Sequence, residues 1–139
     1  MVGLIATSVM AENTLNIVDS SVNIATVAPN NAGDGPGSGT IGITYNITIT
    51  NPTCKITGKI DTEMPANTAL KLNLVAPPTC GGTSQGAVSL TETEQDLVTG
   101  INTAGTDTGV SGTFTLTATS AVPAAASASK TCTLTLLNE

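Results

Sequence analysis

The stretch TIGITYNITIT, residues 40–50, decides the fold of this chain. Apolar side chains occupy every second position of the stretch, and small polar side chains lie between them. Because successive side chains of a β-strand point to opposite faces of a sheet, this period of two predicts a half-buried strand. The same alternation returns in TFTLTAT, residues 113–119, and in TCTLTL, residues 131–136. The chain is therefore expected to fold as β-sheet.

Further segments with the same period are separated by turn-forming residues. The additional strands are expected at 15–17, 22–24, 54–60, 70–76, 88–90 and 97–101. Proline, glycine and asparagine mark the connections, and residues 105–112 are expected to form a loop. About seven to nine short strands at this spacing predict an all-β fold, an antiparallel immunoglobulin-like β-sandwich. The sandwich is expected to span residues 15–139, after an apolar N-terminal segment of residues 1–14.

The charge balance argues against several classes of partner. The chain carries ten acidic residues against four lysines, a net charge of −6 at neutral pH. Binding of a nucleic-acid backbone depends on clustered lysine or arginine, so no nucleic-acid partner is expected. The same lack of clustered lysine and arginine argues against binding to an anionic membrane surface. No apolar segment has the length that membrane insertion requires.

Side chains that carry out chemistry are scarce in the sequence. Histidine, arginine and tryptophan do not occur, and Tyr45 and Phe114 are the aromatic residues of the chain. Without histidine, neither a nucleophile–base pair nor a Cys/His metal site is expected. The acidic run at 92–96 and Asp34 do not have the spacing of a calcium loop. The sequence therefore predicts no enzyme, no catalytic residue, no metal and no cofactor, and it argues against a small-molecule ligand.

Three cysteines raise the question of a disulfide. If the strands at 53–60 and 69–76 form a hairpin, Cys54 lies near Cys80. A disulfide there would close a loop of about 26 residues and stabilise the fold by about 3 kcal/mol. Pairing of Cys54 with Cys132 is the alternative, because both residues lie on the apolar faces of their strands. In a third arrangement no disulfide forms.

The N-terminal part of the chain, residues 2–27, contains more apolar strand material than one strand needs. The surplus predicts a strand donated to a neighbouring subunit, where it would add backbone hydrogen bonds and cover a sheet edge. The alternative is the remnant of a secretory signal, since residues 8–11 partly fit a small-x-small cleavage site. The residues expected at the subunit interface are Val2, Leu4, Ile5, Val9, Leu15 and Ile17.

One modification site is suggested by the sequence. Asn46-Ile47-Thr48 matches the N-glycosylation sequon and lies on the polar face of its strand. Asn46 is therefore a candidate for glycosylation in a host that carries out this modification.

The chain as a whole is small, acidic, rich in Thr, Ala and Gly, free of histidine, and closes with the alternating strand at 131–136. In these respects it resembles secreted β-sandwich subunits that polymerise by donor-strand exchange, such as chaperone–usher pilins and camelysin-like biofilm-matrix fibre subunits. The resemblance implies a structural subunit of an extracellular or cell-surface filament or pilus, whose partners are copies of itself. The alternative is an immunoglobulin-like surface adhesin or binding module that acts without polymerisation.

Overall fold

The computed structural model describes residues 12–19, 21–24, 37–119 and 129–139. These ranges contain nine β-strands and no helix, which confirms the expected all-β class. The strands are β1 (Thr14–Ile17), β2 (Gly37–Ile49), β3 (Cys54–Ile60), β4 (Thr68–Leu74), β5 (Thr83–Ser84), β6 (Val88–Ser89), β7 (Gln95–Ile101), β8 (Gly105–Ala118) and β9 (Cys132–Asn138).

The nine strands form two antiparallel sheets. The first sheet has the strand order β1-β2-β8-β4-β6, and the second has the order β5-β7-β3-β9. The longest strands are β2 and β8, with 13 and 14 residues, and they pair along most of their length. The antiparallel pairing agrees with the expectation from the sequence.

Both sheets contribute to one hydrophobic core. Tyr45 and Leu72 of the first sheet and Ile56 and Leu97 of the second are fully buried in it. From Ile43 onwards, the apolar positions of β2 are buried and the polar positions between them are half-buried. The period of two in residues 40–50 therefore has the predicted effect, because it sends one set of side chains inward and the other outward.

The predicted loop at 105–112 is wrong, because these residues form the first half of β8. Two features interrupt the alternation of apolar inward and polar outward side chains in this half of β8. The inward position at Asp107 carries a buried carboxylate where a core strand usually has an apolar residue. The register also shifts between Tyr45 and Ile47, opposite Gly109, whose φ of 65° is one that glycine adopts readily.

The predicted hairpin between 53–60 and 69–76 is also wrong. The strands β3 and β4 belong to different sheets, and β3 pairs with β7 and β9 instead. The connection 61–67 therefore crosses between the sheets, with Asn67 at a φ of 64°. A hairpin and a crossing both bury one face of each strand, so the apolar period does not distinguish between them.

Candidate functional site

The strand β9 lies at the edge of its sheet and pairs on one side, with β3. At one end Glu139 N–H donates to the Thr53 carbonyl at 2.9 Å. At the other end Asp61 N–H donates to the Thr131 carbonyl at 3.0 Å. Because hydrogen bonding alternates along an antiparallel pair, the intervening even-numbered residues point their N–H and C=O groups away from β3. These residues are Cys132, Leu134, Leu136 and Asn138.

The free side of β9, which we call the acceptor edge (residues 132, 134, 136 and 138), has no strand partner within the described ranges. The sequence of β9, CTLTLLN, contains no charged residue and no proline, and its pairing with β3 is regular over the whole strand. Natural proteins protect exposed edges with lysine, proline, bulges or covering loops. The acceptor edge lacks the first three of these devices, so it is suited to pairing with another strand.

The side chains of the acceptor edge are incompletely buried. Cys132, Leu134 and Leu136 are half-buried and pack against the hydrophobic core. Their inward orientation follows from the strand period, since the threonines between them face outward. A strand added beside β9 would therefore cover apolar side chains as well as backbone groups.

A cavity of about 690 Å³ opens beside the first half of β9. Much of its wall is apolar and comes from both sheets and from the segment 21–24. The apolar lining includes Ile17, Val22, Ile43, Leu70, Phe114 and Leu134. Residues of the hydrophobic core, among them Ile43, Leu70 and Phe114, therefore line a cavity next to the acceptor edge.

Two charged side chains, Lys130 and Asp19, lie among the described residues that line this cavity. Lys130 Nζ donates to Thr62 Oγ1 at 2.6 Å and to the Glu63 carbonyl at 2.7 Å. The Asp19 carboxylate accepts from the Thr44 N–H at 2.7 Å and from its hydroxyl at 3.0 Å. Both charges are engaged within the chain, and the wall offers an occupant apolar surface together with polar groups.

The segment before β1 is held by a hydrogen-bonded clamp centred on Asn13. Asn13 Oδ1 accepts from Thr50 N–H at 2.8 Å and from Asn51 N–H at 2.9 Å. Asn13 Nδ2 donates to the Asn51 carbonyl at 2.8 Å and to Cys54 Sγ at 2.9 Å. This clamp fixes the point where the N-terminal segment joins the fold, at the turn between β2 and β3.

Two of the residues expected at a subunit interface, Leu15 and Ile17, lie in the chain's own sheet. As part of β1 they pair with Ile47 and Tyr45 of β2 and pack half-buried against the core. These two residues are therefore engaged within their own subunit. The other expected interface residues, Val2, Leu4, Ile5 and Val9, lie outside the described residues.

All three cysteines are free thiols. Cys54 pairs with Asn138 and Cys132 pairs with Ile60, at opposite ends of β3. At the rise of a strand this separation is about 20 Å, whereas a disulfide needs Cα atoms within about 7 Å. The register of β3 and β9 therefore excludes the alternative pairing of Cys54 with Cys132.

The other candidate pair, Cys54 and Cys80, lies at one end of the molecule. Cys54 pairs with Ile101, and the Cys80 carbonyl accepts from Thr103 N–H at 3.1 Å. Their disulfide is not formed in this structure and stays a prediction for oxidising conditions. Burial raises the pKa of the Cys80 thiol and of the Cys132 thiol to about 11, so both are protonated at neutral pH and are weak nucleophiles.

The candidate glycosylation residue Asn46 lies on the outward face of β2 and is half-buried. Its Oδ1 accepts from Gly109 N–H at 2.8 Å, across the register shift of β8. The side chain therefore has a structural role in stabilising this irregularity. Glycosylation of Asn46 stays a prediction.

The acceptor edge and the cavity were not predicted from the sequence. The sequence identifies the last strand, but edge position depends on which strands pair, and this is decided by long-range contacts. One signal is present in the composition of β9, which has no charged residue or proline to protect it.

In the described part of the chain, no group of three or more His, Cys, Asp or Glu side chains is placed to hold a metal ion. Among the same residues, no helix is long and apolar enough to cross a membrane. Comparison with protein-family models, curated proteins and solved structures gives no match to this chain. The acceptor edge and the cavity beside it are therefore the features on which a functional proposal can be based.

Proposed function

We propose that this protein is a structural subunit of an extracellular or cell-surface filament, in which the apolar N-terminal segment of one copy pairs with the acceptor edge of the next. The observation that supports this proposal is the uncharged edge of β9, which has no strand partner among the described residues and lies beside a cavity with a partly apolar wall. In this view the two sheets form an immunoglobulin-like β-sandwich whose second sheet is completed by a neighbouring copy.

The energetic reason for such an assembly lies in the acceptor edge. A paired strand would satisfy N–H and C=O groups of the even-numbered residues of β9, at a net gain of about 0.5–1.5 kcal/mol for each hydrogen bond. Covering Leu134, Leu136 and the cavity wall adds about 25 cal/mol for each Å² of apolar surface removed from water. Both contributions favour a donated strand over solvent.

The symmetry of this contact leads to a fibre. The donating segment and the accepting edge are different surfaces of one molecule, so the contact is heterologous and leaves one of each free at the ends of every oligomer. Unless the rotation between copies closes a ring, repetition produces a filament. Copies of the same chain are therefore the proposed partners.

The proposal is tested by comparing the full chain with a variant that lacks residues 1–11. Negative-stain electron microscopy and sedimentation of the full chain are expected to show filaments, whereas the truncated variant should remain as soluble monomers. Because β1 and the Asn13 clamp are retained, the truncated variant should still give the circular dichroism spectrum of a β-protein. Dispersed particles of the full chain at high concentration would argue against the filament.

An immunoglobulin-like binding module that acts as a monomer is the alternative. The cavity supports it, since about 690 Å³ is within the roughly 300–1,000 Å³ range of ligand pockets. In that case, removal of residues 1–11 should leave ligand binding intact. An apolar ligand should then raise the melting temperature of the full chain and of the truncated variant equally.

A further inference from the structure

The pairing of β1 with β2 stops at a defined point in the first sheet. Its register begins with Thr14 opposite Thr48, and the two residues before it, Glu12 and Asn13, lie outside the strand. If the same register continued towards the N-terminus, residue 12 would lie opposite residue 50 and residue 11 opposite residue 51. The side chain of Asn13 occupies this position instead.

The contacts of the Asn13 amide reproduce those of a β-ladder. Asn13 Oδ1 accepts from Asn51 N–H at 2.9 Å, and Asn13 Nδ2 donates to the Asn51 carbonyl at 2.8 Å. Two residues of a hydrogen-bonded antiparallel pair exchange both bonds in the same way. Asn13 Oδ1 also accepts from Thr50 N–H at 2.8 Å. One side chain therefore takes the N–H groups that residues 11 and 12 would need to lengthen β1.

The hydrogen-bonding groups of this amide are fully used. The second contact of Asn13 Nδ2 is Cys54 Sγ at 2.9 Å, and Oδ1 also accepts from the Thr50 hydroxyl at 3.1 Å. A side-chain amide has two donors on its nitrogen and two lone pairs on its oxygen. Aspartate lacks the donors, and glutamine carries its amide one carbon further from the backbone. The contacts at this position therefore fit asparagine specifically.

These contacts have a consequence for the part of the chain that precedes β1. Residues 1–11 can lengthen β1 along β2 only by displacing the Asn13 amide from Thr50 and Asn51. Beyond these two residues, the chain leaves the first sheet and enters β3 of the second sheet. Glu12, next to the clamp, is exposed. The clamp therefore favours a partner for residues 1–11 other than the first sheet of their own chain.

We infer that Asn13 is a positioning residue for assembly, which ends the pairing of β1 within its own sheet and holds the base of residues 1–11 at the surface for a second copy. The inference rests on the proposed function and adds to it the residue that decides between pairing within one chain and pairing between chains. A segment that is fixed at its base loses less conformational freedom when it binds, so the clamp also favours association.

The test compares Asn13→Ala with Asn16→Ala in the full chain. Asn16 is the matched control, because it is an exposed asparagine of the adjoining β1 and pairs with Asn46 through the backbone. Sedimentation at a series of protein concentrations measures the concentration at which filaments first appear. Asn13→Ala is expected to raise this concentration about tenfold, which corresponds to about 1.4 kcal/mol. Asn16→Ala is expected to leave it unchanged.

Urea unfolding of the same variants, at concentrations below the onset of assembly, separates positioning from stability. Asn13→Ala should lower the urea midpoint, but its monomer should remain folded in the absence of urea. A purely structural role would raise the assembly concentration only in proportion to the unfolded fraction. Asn13→Asp keeps the acceptor for the two N–H groups and loses both donors, so its assembly concentration should lie between those of the wild type and Asn13→Ala.

The other outcomes have separate meanings. Filaments that appear at the same concentration in the wild type and in Asn13→Ala would overturn the positioning role and leave the filament proposal standing. An effect that follows the unfolded fraction would do the same. Hydrogen exchange of the wild-type monomer is the second measurement, and residues 1–11 are expected to exchange as fast as an unpaired chain. Slow exchange there, or a wild type that forms no filaments, would overturn the inference and the proposed function together.

Discussion

Asp107 places a carboxylate on the buried side of β8, with 6% of the residue exposed. It accepts hydrogen bonds from Thr79 N–H at 3.0 Å and from Cys80 N–H at 2.9 Å, and so connects the segment after β4 to β8. Burial alone would raise the pKa of this carboxyl group, but the hydrogen bonds from Cys80 and Thr79 outweigh it and the pKa of Asp107 is lowered. The fold therefore stabilises the ionised form.

Asp107→Asn is expected to lower the free energy of unfolding at neutral pH by about 2 kcal/mol, because it removes charge-assisted hydrogen bonds. The folded pKa lies below the unfolded pKa of about 3.9, so this contribution is complete above the unfolded value and is lost as the pH falls through the folded one. The difference between wild type and variant should therefore shrink in acid. Urea unfolding measured from neutral pH to about pH 2 checks this expectation.

Asp96→Asn is the matched control for that measurement. Asp96 is also an aspartate on a strand, but its side chain is 47% exposed and pairs with Lys55 at 2.9 Å on the surface. Exposed pairs of this kind contribute about 0–1 kcal/mol, so the control should lose little stability. An Asp107→Asn effect that stays constant down to acid pH would contradict the role of the ionised carboxylate.

Single residues differ in how far the sequence reveals their roles. The alternation in residues 40–50 correctly places Tyr45 in the core, because the period of a strand is a local property. The roles of Asn13 and Asp107 could not be predicted from such a local pattern. Their partners, such as Asn51 and Cys80, are distant in the sequence, and no local pattern indicates a hydrogen bond between them.

The positions of the strands were predicted well because they depend on local sequence, whereas the pairing of the strands depends on distant contacts. Eight of the nine strands fall wholly or partly in segments where alternation predicts them, whereas the short β5 lies outside every predicted strand. The strand expected at 22–24 does not form. The pairing of the strands was not predicted correctly from the sequence, since β3 pairs with β7 and β9 and not with β4. Pairing depends on how the long connections cross between sheets, so the free edge of β9 followed from the fold and not from its own sequence.

Leu136→Pro is expected to abolish assembly and leave the monomer folded. The Leu136 N–H points to the acceptor edge, so proline there removes no hydrogen bond between β9 and β3 but blocks a donated strand. Circular dichroism should report a β-protein that unfolds cooperatively, and sedimentation should report a monomer. An assembly that forms at the wild-type concentration would show that this side of β9 is not the binding edge.

Two further variants separate the possible causes of that effect. Leu136→Ala removes most of the side chain and keeps the N–H, so it should weaken assembly less than proline does. Thr135→Pro moves the proline to the side that bonds to Thr57 of β3, and it should destabilise the monomer itself. If Leu136→Pro and Thr135→Pro unfold the monomer equally, the assignment of the free side is contradicted.

At the scale of the whole molecule, assembly brings together copies that each carry a net charge of −6. The proposed contact between residues 1–11 and β9 involves no charged side chain, so no ion pair between these two segments offsets the repulsion between copies. Screening by salt reduces such repulsion, because the Debye length falls from about 10 Å at 0.1 M to about 3 Å at 1 M. Apolar burial at the interface is not weakened by this screening.

Raising the concentration of sodium chloride is therefore expected to lower the concentration of protein at which filaments first appear. Sedimentation at a series of protein concentrations, repeated at about 0.1 M and about 1 M salt, measures this threshold. The variant that lacks residues 1–11 has the same net charge and should stay in the supernatant at both salt concentrations, which excludes simple salting-out. If salt instead dissolves the filaments, ion pairs hold the copies together, and an uncharged strand along β9 cannot be the principal contact.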